Sequence, residues 1–303
     1  MLMKRIGIIG VGLLGSAVAS RLIKGGFEIA AYDTRPEQVA ALQAQGLIAA
    51  ASIAEAAGEA DAVFTILPSL ESVEAAILGT GGLIETAPQN CTMIQMSTVS
   101  PDLTRRLASA AAAKALGFLD APMSGTSAMV ERGDCTIFVA GERNRADACQ
   151  PIFGAIAKKT HYVGDAGMAS LAKLATNLLV GLNTAALAEA LVLGAKGGLA
   201  PGVLVEILKE SAGASKMLDV RGPLMVSRRF DAQMKIDLFL KDFKLMLEEG
   251  LRLGVPLPLT SVAQQLITTT ATAGRGEEDL AAIVTTFELL AGLEIYRPAE
   301  KKD

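Results

Sequence analysis

Lys173 and Asn177 are one helical turn apart in the run G-D-A-G-M-A-S-L-A-K-L-A-T-N, where the lysine is an isolated cation among apolar residues. Side chains at i and i+4 lie on one face of a helix, so an ammonium and an amide are presented side by side. The pair can act as a proton donor or acceptor together with the hydrogen-bond partner that orients it. A solvated lysine titrates near ~10.4, too high for easy base work at neutral pH; burial among apolar residues is the lever that lowers it.

A second set of residues is glycine-rich. Gly10-Val11-Gly12-Leu13-Leu14-Gly15 follows a short apolar strand, Lys4 to Ile9, and opens a helix that runs to about Lys24. The next strand, Glu28 to Tyr32, ends at Asp33. Strand, G-x-G-x-x-G, helix, strand and acid in that order form the dinucleotide-binding unit. Each glycine meets a separate demand. Gly10 makes the tight turn, Gly12 lets the backbone approach a pyrophosphate at the helix N-terminus, and Gly15 lets helix and strand pack closely. Asp33 is suited to accept hydrogen bonds from the adenosine ribose hydroxyls and would repel a 2′-phosphate. NAD is therefore preferred to NADP, although Arg35, two residues on, partly offsets that repulsion. S-adenosylmethionine is the rival ligand for this kind of fold, but it leaves the Lys173 helix without a purpose.

A third set is Asp120-Ala121-Pro122-Met123-Ser124-Gly125-Thr126. Ser124, Gly125 and Thr126 offer hydroxyls and unobstructed backbone N–H groups, donors suited to a carboxylate. Read without further help, small polar residues after a strand are more often only a turn.

These residues need elements to hold them. Pro36 to Gln45 reads as a helix, Ser52-Ile53-Ala54-Glu55 as a capping box opening another, Ala62 to Leu67 as a buried strand stopped by Pro68, and Thr92 to Met96 as the next strand. Ser100-Pro101 reads as an N-cap with proline at the first helical position. Phe118 to Ala121, Thr136 to Ala140 and Thr160 to Val163 complete a sheet. Ligands of open parallel sheets sit at the carboxyl ends of strands. Leu67 and Pro68 therefore either border the cofactor or merely end a strand, and Thr98 is placed to reach the nicotinamide ribose. The run from Gly164 to Gly198 is one long amphipathic helix, with leucines at steps of three and four and no proline. Beyond it, helices are expected near Pro201 to Glu210, Asp237 to Leu253, Leu259 to Thr272 and Asp279 to Leu290, with no strand pattern and a frayed charged tail from Arg297 to Asp303. Lys241-Asp242 lies on an otherwise apolar helix; a charge there is normally part of a solvated face, the alternative being that Lys241 reaches into the interdomain cleft, which spacing alone does not show. The expectation is an α/β chain. Residues 1–165 form a Rossmann-type, doubly wound, mostly parallel dinucleotide-binding domain. Residues 166–303 form an all-helical substrate and oligomerisation domain that begins with the long helix, and the Lys173 and Asn177 pair is expected at the cleft between the two.

Composition narrows the function classes. A chain of 303 residues with 51% hydrophobic residues and no Trp builds its core from Ala, Leu, Ile and Val. A formal net charge of -4 and no basic cluster give nucleic acid no electrostatic footing. Met1 to Ser20 has the outline of a signal peptide, but four glycines at fingerprint spacing and a first strand argue against cleavage there. The longest uncharged runs fall short of the ~20 residues a bilayer needs, so a soluble, cytoplasmic protein without a membrane partner is expected. Cys91, Cys135 and Cys149 are widely separated, without C-x-x-C, and His161 reads as a surface or capping residue, so neither a zinc site nor a disulfide framework is expected.

With these pieces in order the chain resembles the β-hydroxyacid dehydrogenase family, which includes 3-hydroxyisobutyrate dehydrogenase and tartronate semialdehyde (2-hydroxy-3-oxopropionate) reductase. Four motifs carry the resemblance: G-V-G-L-L-G, D-A-P-M-S-G at 120 to 125, the pattern through Gly164, Gly167, Lys173 and Asn177, and K-D at 241 and 242. It implies that Lys173 is the catalytic lysine and Asn177 its neighbour at the substrate. It further implies that Ser124 and Gly125 hold the substrate carboxylate, and that Thr98 and Lys241 contribute near the nicotinamide. The chain departs from the pattern at Thr126, Gln95, Ala169 and Thr176; Thr126 lines the implied pocket and bears on substrate identity. The expected activity is reversible hydride transfer between NAD(H) and a small 3-hydroxy acid or its semialdehyde, carried out by a homo-oligomer, dimer or tetramer. Glyoxylate or succinic semialdehyde reduction is an alternative within the class, and a non-catalytic dinucleotide-sensing module is one outside it. Imine reductases resemble the family without the lysine, and a 6-phosphogluconate-type substrate calls for more cations and a larger helical domain.

Overall fold

The computed structural model describes residues 3–293, so the tail from Arg297 to Asp303 lies outside the described residues. Two compact units pack separately, Met1–Leu174 and Ala175–Asp303.

In the first unit the elements run β1 (Arg5–Ile9), α1 (Leu13–Lys24), β2 (Glu28–Tyr32), α2 (Pro36–Gln43), β3 (Ile48–Ala49), α3 (Ile53–Ala57), β4 (Ala62–Thr65), α4 (Leu70–Leu78), α5 (Leu83–Thr86), β5 (Thr92–Gln95), α6 (Pro101–Ala113), β6 (Gly117–Asp120), β7 (Met123–Ser124), α7 (Ser127–Glu131), β8 (Thr136–Gly141), α8 (Arg143–Ala148), α9 (Gln150–Ile156) and β9 (Lys159–Tyr162). The sheet order is β3-β2-β1-β4-β5-β6-β8-β7, with β9 on β8. Strands β3 through β6 are all parallel, while β8 turns antiparallel to β6. Successive strand residues point to opposite faces, and the apolar runs divide accordingly. Ile6, Ile8, Phe64, Ile94 and Leu119 enter one core layer; Ile9, Val63, Met93 and Phe118 enter the other. Burial on both faces is why these strands read as continuous hydrophobic runs. Chain order reverses between β1 and β4, so the loops after these strands flank the switch point where such sheets bind ligands.

Local signals explain most element ends. Ser52 caps α3 through Glu55 N–H at 3.1 Å, but the Glu55 carboxylate reaches back to Ala51 N–H at 2.7 Å, one residue earlier than a standard capping box. Ser100 caps α6 with Pro101 at its first position. Gly10 has φ +97°, and a Cβ there would stand 2.3 Å from Ile66 O and 2.9 Å from a Leu67 methyl. The loop after β1 thus touches the loop after β4 because this residue has no side chain.

The long helix is α10 (Met168–Lys196). Its first residues belong to the sheet unit, which extends to Leu174, and a buried hydrogen-bond cluster described below ties them to β6. By length and composition α10 would also pass for a bilayer-crossing helix. Its buried Ser170, Lys173, Asn177 and Thr184 suit the interior of a folded protein better than lipid.

The second unit continues with α11 (Pro201–Lys209), α12 (Lys216–Ser227), α13 (Ile236–Leu253), α14 (Pro258–Thr270), a 3-10 turn at Leu280–Ile283 and α15 (Val284–Ala291). Helix α12 was not expected, because Gly222-Pro223 interrupts it. It persists around Pro223 while Arg221, 4% exposed, pairs with Asp279, 1% exposed, at 3.2 Å. Asp279 also accepts from Gln233, Met234 and Ala281 N–H groups, which ties together the approach to α13 and the 3-10 turn. After α14, Ala271–Arg275 forms a π-helical segment that ends the helix at Gly274, φ +86°.

Gly10→Ala combines an unfavourable φ with a backbone collision. It is expected to lower unfolding free energy in urea titrations by at least about 2 kcal/mol.

Candidate active site

Helix α1 begins at Gly12 with no side-chain cap, so its first-turn N–H groups are left for a ligand anion. The nearest atom to a Cβ built on Gly12 is Arg35 Nη2 at 3.8 Å, which leaves the backbone open to close approach. Gly15 differs, since its Cβ would lie 2.1 Å from Gly10 O. These are the three glycine roles inferred from the motif. Asp33, its side chain 8% exposed, accepts from Val11 N–H at 2.8 Å and from Arg35 N–H at 2.9 Å. The carboxylate at the end of β2 is therefore locked to the glycine loop, and Arg35 Nε lies 3.5 Å from it. Leu13 is exposed and Leu14 partly buried at the helix start, while Val11 is fully buried. The residues present fit a dinucleotide.

The loops after β4 and β5 are joined. Ser97 Oγ accepts from Leu67 N–H at 2.8 Å, with Pro68 exposed beside it. Gln95, fully buried, donates Nε2–H to Ser97 O at 3.0 Å and accepts from Ser97 N–H. This bracing requires a donor and an acceptor on one side chain, which an amide supplies and an ionised carboxylate does not. It accounts for Gln95 at a position where the resemblance leads one to expect Asp. Half-buried Thr98 follows this braced turn.

At the end of β6, Asp120 is fully buried. Its Oδ2 accepts from Gly167 N–H at 3.1 Å and Ser170 N–H at 2.8 Å, and its Oδ1 from Ser170 Oγ–H at 2.8 Å. Ser170 Oγ also shares a hydrogen bond with Thr104 Oγ1 at 2.8 Å. This cluster holds the start of α10, and three residues further on comes Lys173, 8% exposed. Four residues after Asp120 comes Ser124, half-buried, then Gly125 with φ +151°, where a Cβ would stand 2.8 Å from Cys135 Cβ. The Thr126 hydroxyl is engaged as the N-cap of α7, accepting from Met129 N–H at 3.3 Å.

Within the second unit Asn177, 3% exposed, donates Nδ2–H to Asp242 Oδ2 at 2.6 Å. Lys241 Nζ lies 3.4 Å from Asp242 Oδ1, an ion pair without hydrogen-bond geometry, and that oxygen has no hydrogen bond. Gly181 makes the approach possible: its Cβ would collide with Phe243 Cζ at 2.6 Å. Phe243 packs edge to face on Phe239, ring centres 5.3 Å apart. Sequence reasoning quoted Asp120 and Asp242 only as letters in motifs and gave neither a role. The available signal for Asp120 was an acid closing an apolar strand, F-L-D in β6; Asp242 lies on a helix with several other charges, and nothing local set it apart.

The three cysteines are buried and free, and burial pushes the Cys91 and Cys149 thiols up to about 12. His161 is exposed on β9.

Residues 5–164 match the family described as "NAD binding domain of 6-phosphogluconate dehydrogenase". Residues 167–287 match "NAD-binding of NADP-dependent 3-hydroxyisobutyrate dehydrogenase". The chain is 36% identical over 292 residues to 2-(hydroxymethyl)glutarate dehydrogenase of Eubacterium barkeri, covering 96% of this chain and 97% of the relative. It is 33% identical to L-threonate dehydrogenase of Cupriavidus necator, covering 98% and 99%. The chain belongs to the β-hydroxyacid dehydrogenase family. Another β-hydroxyacid dehydrogenase, the 3-hydroxyisobutyrate dehydrogenase from Salmonella typhimurium, has a crystal structure that superposes with TM-score 0.85 at 30% identity, covering 93% of this chain and 99% of that one. Membership makes this protein an NAD(P)-dependent oxidoreductase acting on hydroxy acids.

The Asp120 carboxyl is raised from 3.8 to about 6, chiefly by burial, with hydrogen bonds from Ser170, Gly167 and Ala169 acting the other way. A folded value above the unfolded one means that the native state holds the proton more tightly. The stabilisation from the neutral acid is complete below the unfolded value and lost as pH rises through the folded one. The shift corresponds to roughly 3 kcal/mol. Asp120→Asn, neutral throughout, should therefore gain on wild type in unfolding free energy between about pH 4 and about pH 6.5, read from urea titrations at each pH.

Proposed function

We propose that this β-hydroxyacid dehydrogenase moves a hydride between NAD(H) and a small 3-hydroxy acid or its semialdehyde, of the 3-hydroxyisobutyrate or 2-hydroxy-3-oxopropionate type. The nicotinamide, when bound, supplies or takes up the hydride. Lys173 handles the accompanying proton. In reduction its ammonium protonates the oxygen of the former carbonyl; in oxidation the neutral amine takes the hydroxyl proton. The observation that carries this reading is the buried Lys173, one turn of α10 from a buried Asn177 whose amide is oriented by Asp242. With Nδ2 committed to the carboxylate, Asn177 offers its carbonyl oxygen as an acceptor for an ammonium or hydroxyl proton. Ser124, Gly125 and Thr126 receive the substrate carboxylate; the capping duty of Thr126 leaves its hydroxyl proton available to donate. Gly10 to Gly15, Asp33, Leu67, Pro68, Thr98 and Lys241 serve the cofactor.

The Asp33 carboxylate, locked to Val11, supports NAD over NADP, since a 2′-phosphate would meet a fixed negative charge. Arg35 is the group that would soften this. The exposed leucines of the helical unit, among them Leu193 at 76%, Leu289 at 75% and Leu259 at 70%, support a homo-oligomer. The composition suits the cytoplasm.

A screen of NADH and NADPH oxidation against methylmalonate, tartronate and succinic semialdehydes and glyoxylate tests class, cofactor and substrate together; no turnover with any of them favours a dinucleotide sensor. Lys173→Ala should lower kcat by ~10²- to 10⁴-fold with NADH affinity unchanged by fluorescence titration, and wild-type turnover would refute the assignment. Wild type should show a higher kcat/KM with NADH than with NADPH, and Asp33→Ala should narrow that ratio by about tenfold or more, the loss of roughly one charge-assisted hydrogen bond.

A further inference from the structure

We infer that Asp120 is a positioning residue for Lys173: by gripping the first turn of α10 from the end of β6, its carboxylate sets both the advance and the rotation of the helix that carries the lysine. The inference rests on the proposed role of Lys173 in proton transfer.

A helix is ordinarily capped by its own N-cap side chain, which satisfies the orphan N–H groups but leaves the helix free to sit anywhere on its neighbours. Here Gly167 occupies the turn before α10 and has no side chain to offer. Its φ is +96°, and a Cβ would meet Pro101 O at 3.0 Å, so a conventional capping residue is sterically barred. The capping oxygen, Asp120 Oδ2, comes instead from a different element, β6. An acceptor rooted in the sheet removes the freedom that a local cap would leave. A slip of α10 by one residue would advance it by ~1.5 Å and turn Lys173 by ~100°.

The grip is two-sided. One oxygen of Asp120 takes the N–H groups of Gly167 and Ser170, and the other takes the Ser170 hydroxyl. That hydroxyl continues to Thr104 on α6, and Thr104 continues to Ser100 O at 3.2 Å. Three chain segments with proposed roles thereby share one reference point: Thr98 just before α6, Ser124 just after β6, and Lys173 on α10. Asp120, Thr104 and Ser170 are buried, at 0%, 0% and 2% exposure, so water does not stand in for a lost partner. The contacts of the three side chains run between β6, α6 and α10, so they fix the placement of these elements relative to one another.

The test compares Asp120→Ala, Asp120→Asn, Ser170→Ala and Lys173→Ala with wild type, using the best semialdehyde from the screen. Asp120→Ala should lower kcat by about 100-fold, the scale of a reacting group displaced by ~1 Å, while the NADH dissociation constant stays within twofold. Asp120→Asn can still accept both N–H groups and donate to Ser170 Oγ if the Ser170 and Thr104 hydroxyls point onward to Ser100 O; it should recover most of that loss. Amide exchange in Asp120→Ala should accelerate in the first turn of α10 and not across the sheet. Folded Asp120→Ala with wild-type kcat, beside an inactive Lys173→Ala, overturns the positioning role alone. An active Lys173→Ala overturns the reading beneath it. If Asp120→Ala does not fold, Ser170→Ala decides, since it removes the hydroxyl arm and keeps the amide contact. A severalfold lower kcat with unchanged NADH affinity supports the inference, and wild-type kcat overturns it.

Discussion

A single buried carboxylate, Asp120, decides where the longest helix of the molecule begins. An ionised group with no exposure is costly to bury, and hydrogen bonds from two N–H groups and a hydroxyl offset part of that cost. The two N–H groups would otherwise be orphans at a helix start bearing glycine. Acid and helix terminus therefore satisfy one another, and neither element ends as it does without the other. That mutual dependence is why the first turns of α10 pack as part of the sheet unit and not with the helices that follow.

The same economy of fixed backbone recurs around the nucleotide loop. Gly10, Gly12 and Gly15 do different work at neighbouring positions: one bends, one stays open, one admits close packing. Asp33 is tied to Val11 N–H, so the group expected to read the ribose is rigid before any ligand arrives. Gln95 and Ser97 link the loops after β4 and β5 in the same manner. Preorganisation of this kind spares the ordering cost that flexible loops would incur on binding. In the helical unit, Gly181 lets an aromatic edge of α13 approach α10, and the adjacent Asp242 then reaches Asn177.

Departures from the family's usual residues are accommodated, not tolerated as defects. An amide at Gln95 braces a turn from both sides, and a threonine at 126 adds a cap to α7 where a glycine would add none. The latter engages the threonine's oxygen as an acceptor within the protein. Changes of this kind alter local contacts on a common scaffold and leave the fold as it is.

Much of this was readable from the chain itself. The strands β1, β2, β4, β5, β6, β8 and β9, the glycine loop, Asp33, the lysine and asparagine on one helical face and the cap at Ser100 follow from periodicity and short spacings, because neighbouring residues interact whatever the rest of the chain does; the short elements β3, α4, α5, β7, α7, α8 and α9 were not read. What only the folded molecule decided lies at long separation. Asp120 meets its helix 47 and 50 residues on, and Asp242 meets Asn177 across 65. Helix α12 continues around Pro223, with Arg221 paired to an acid 58 residues away. No local pattern marks which buried polar group will find which partner. That depends on which surfaces the hydrophobic layers bring together, and the penalty for an unpaired buried charge then selects the arrangement in which each such group is answered.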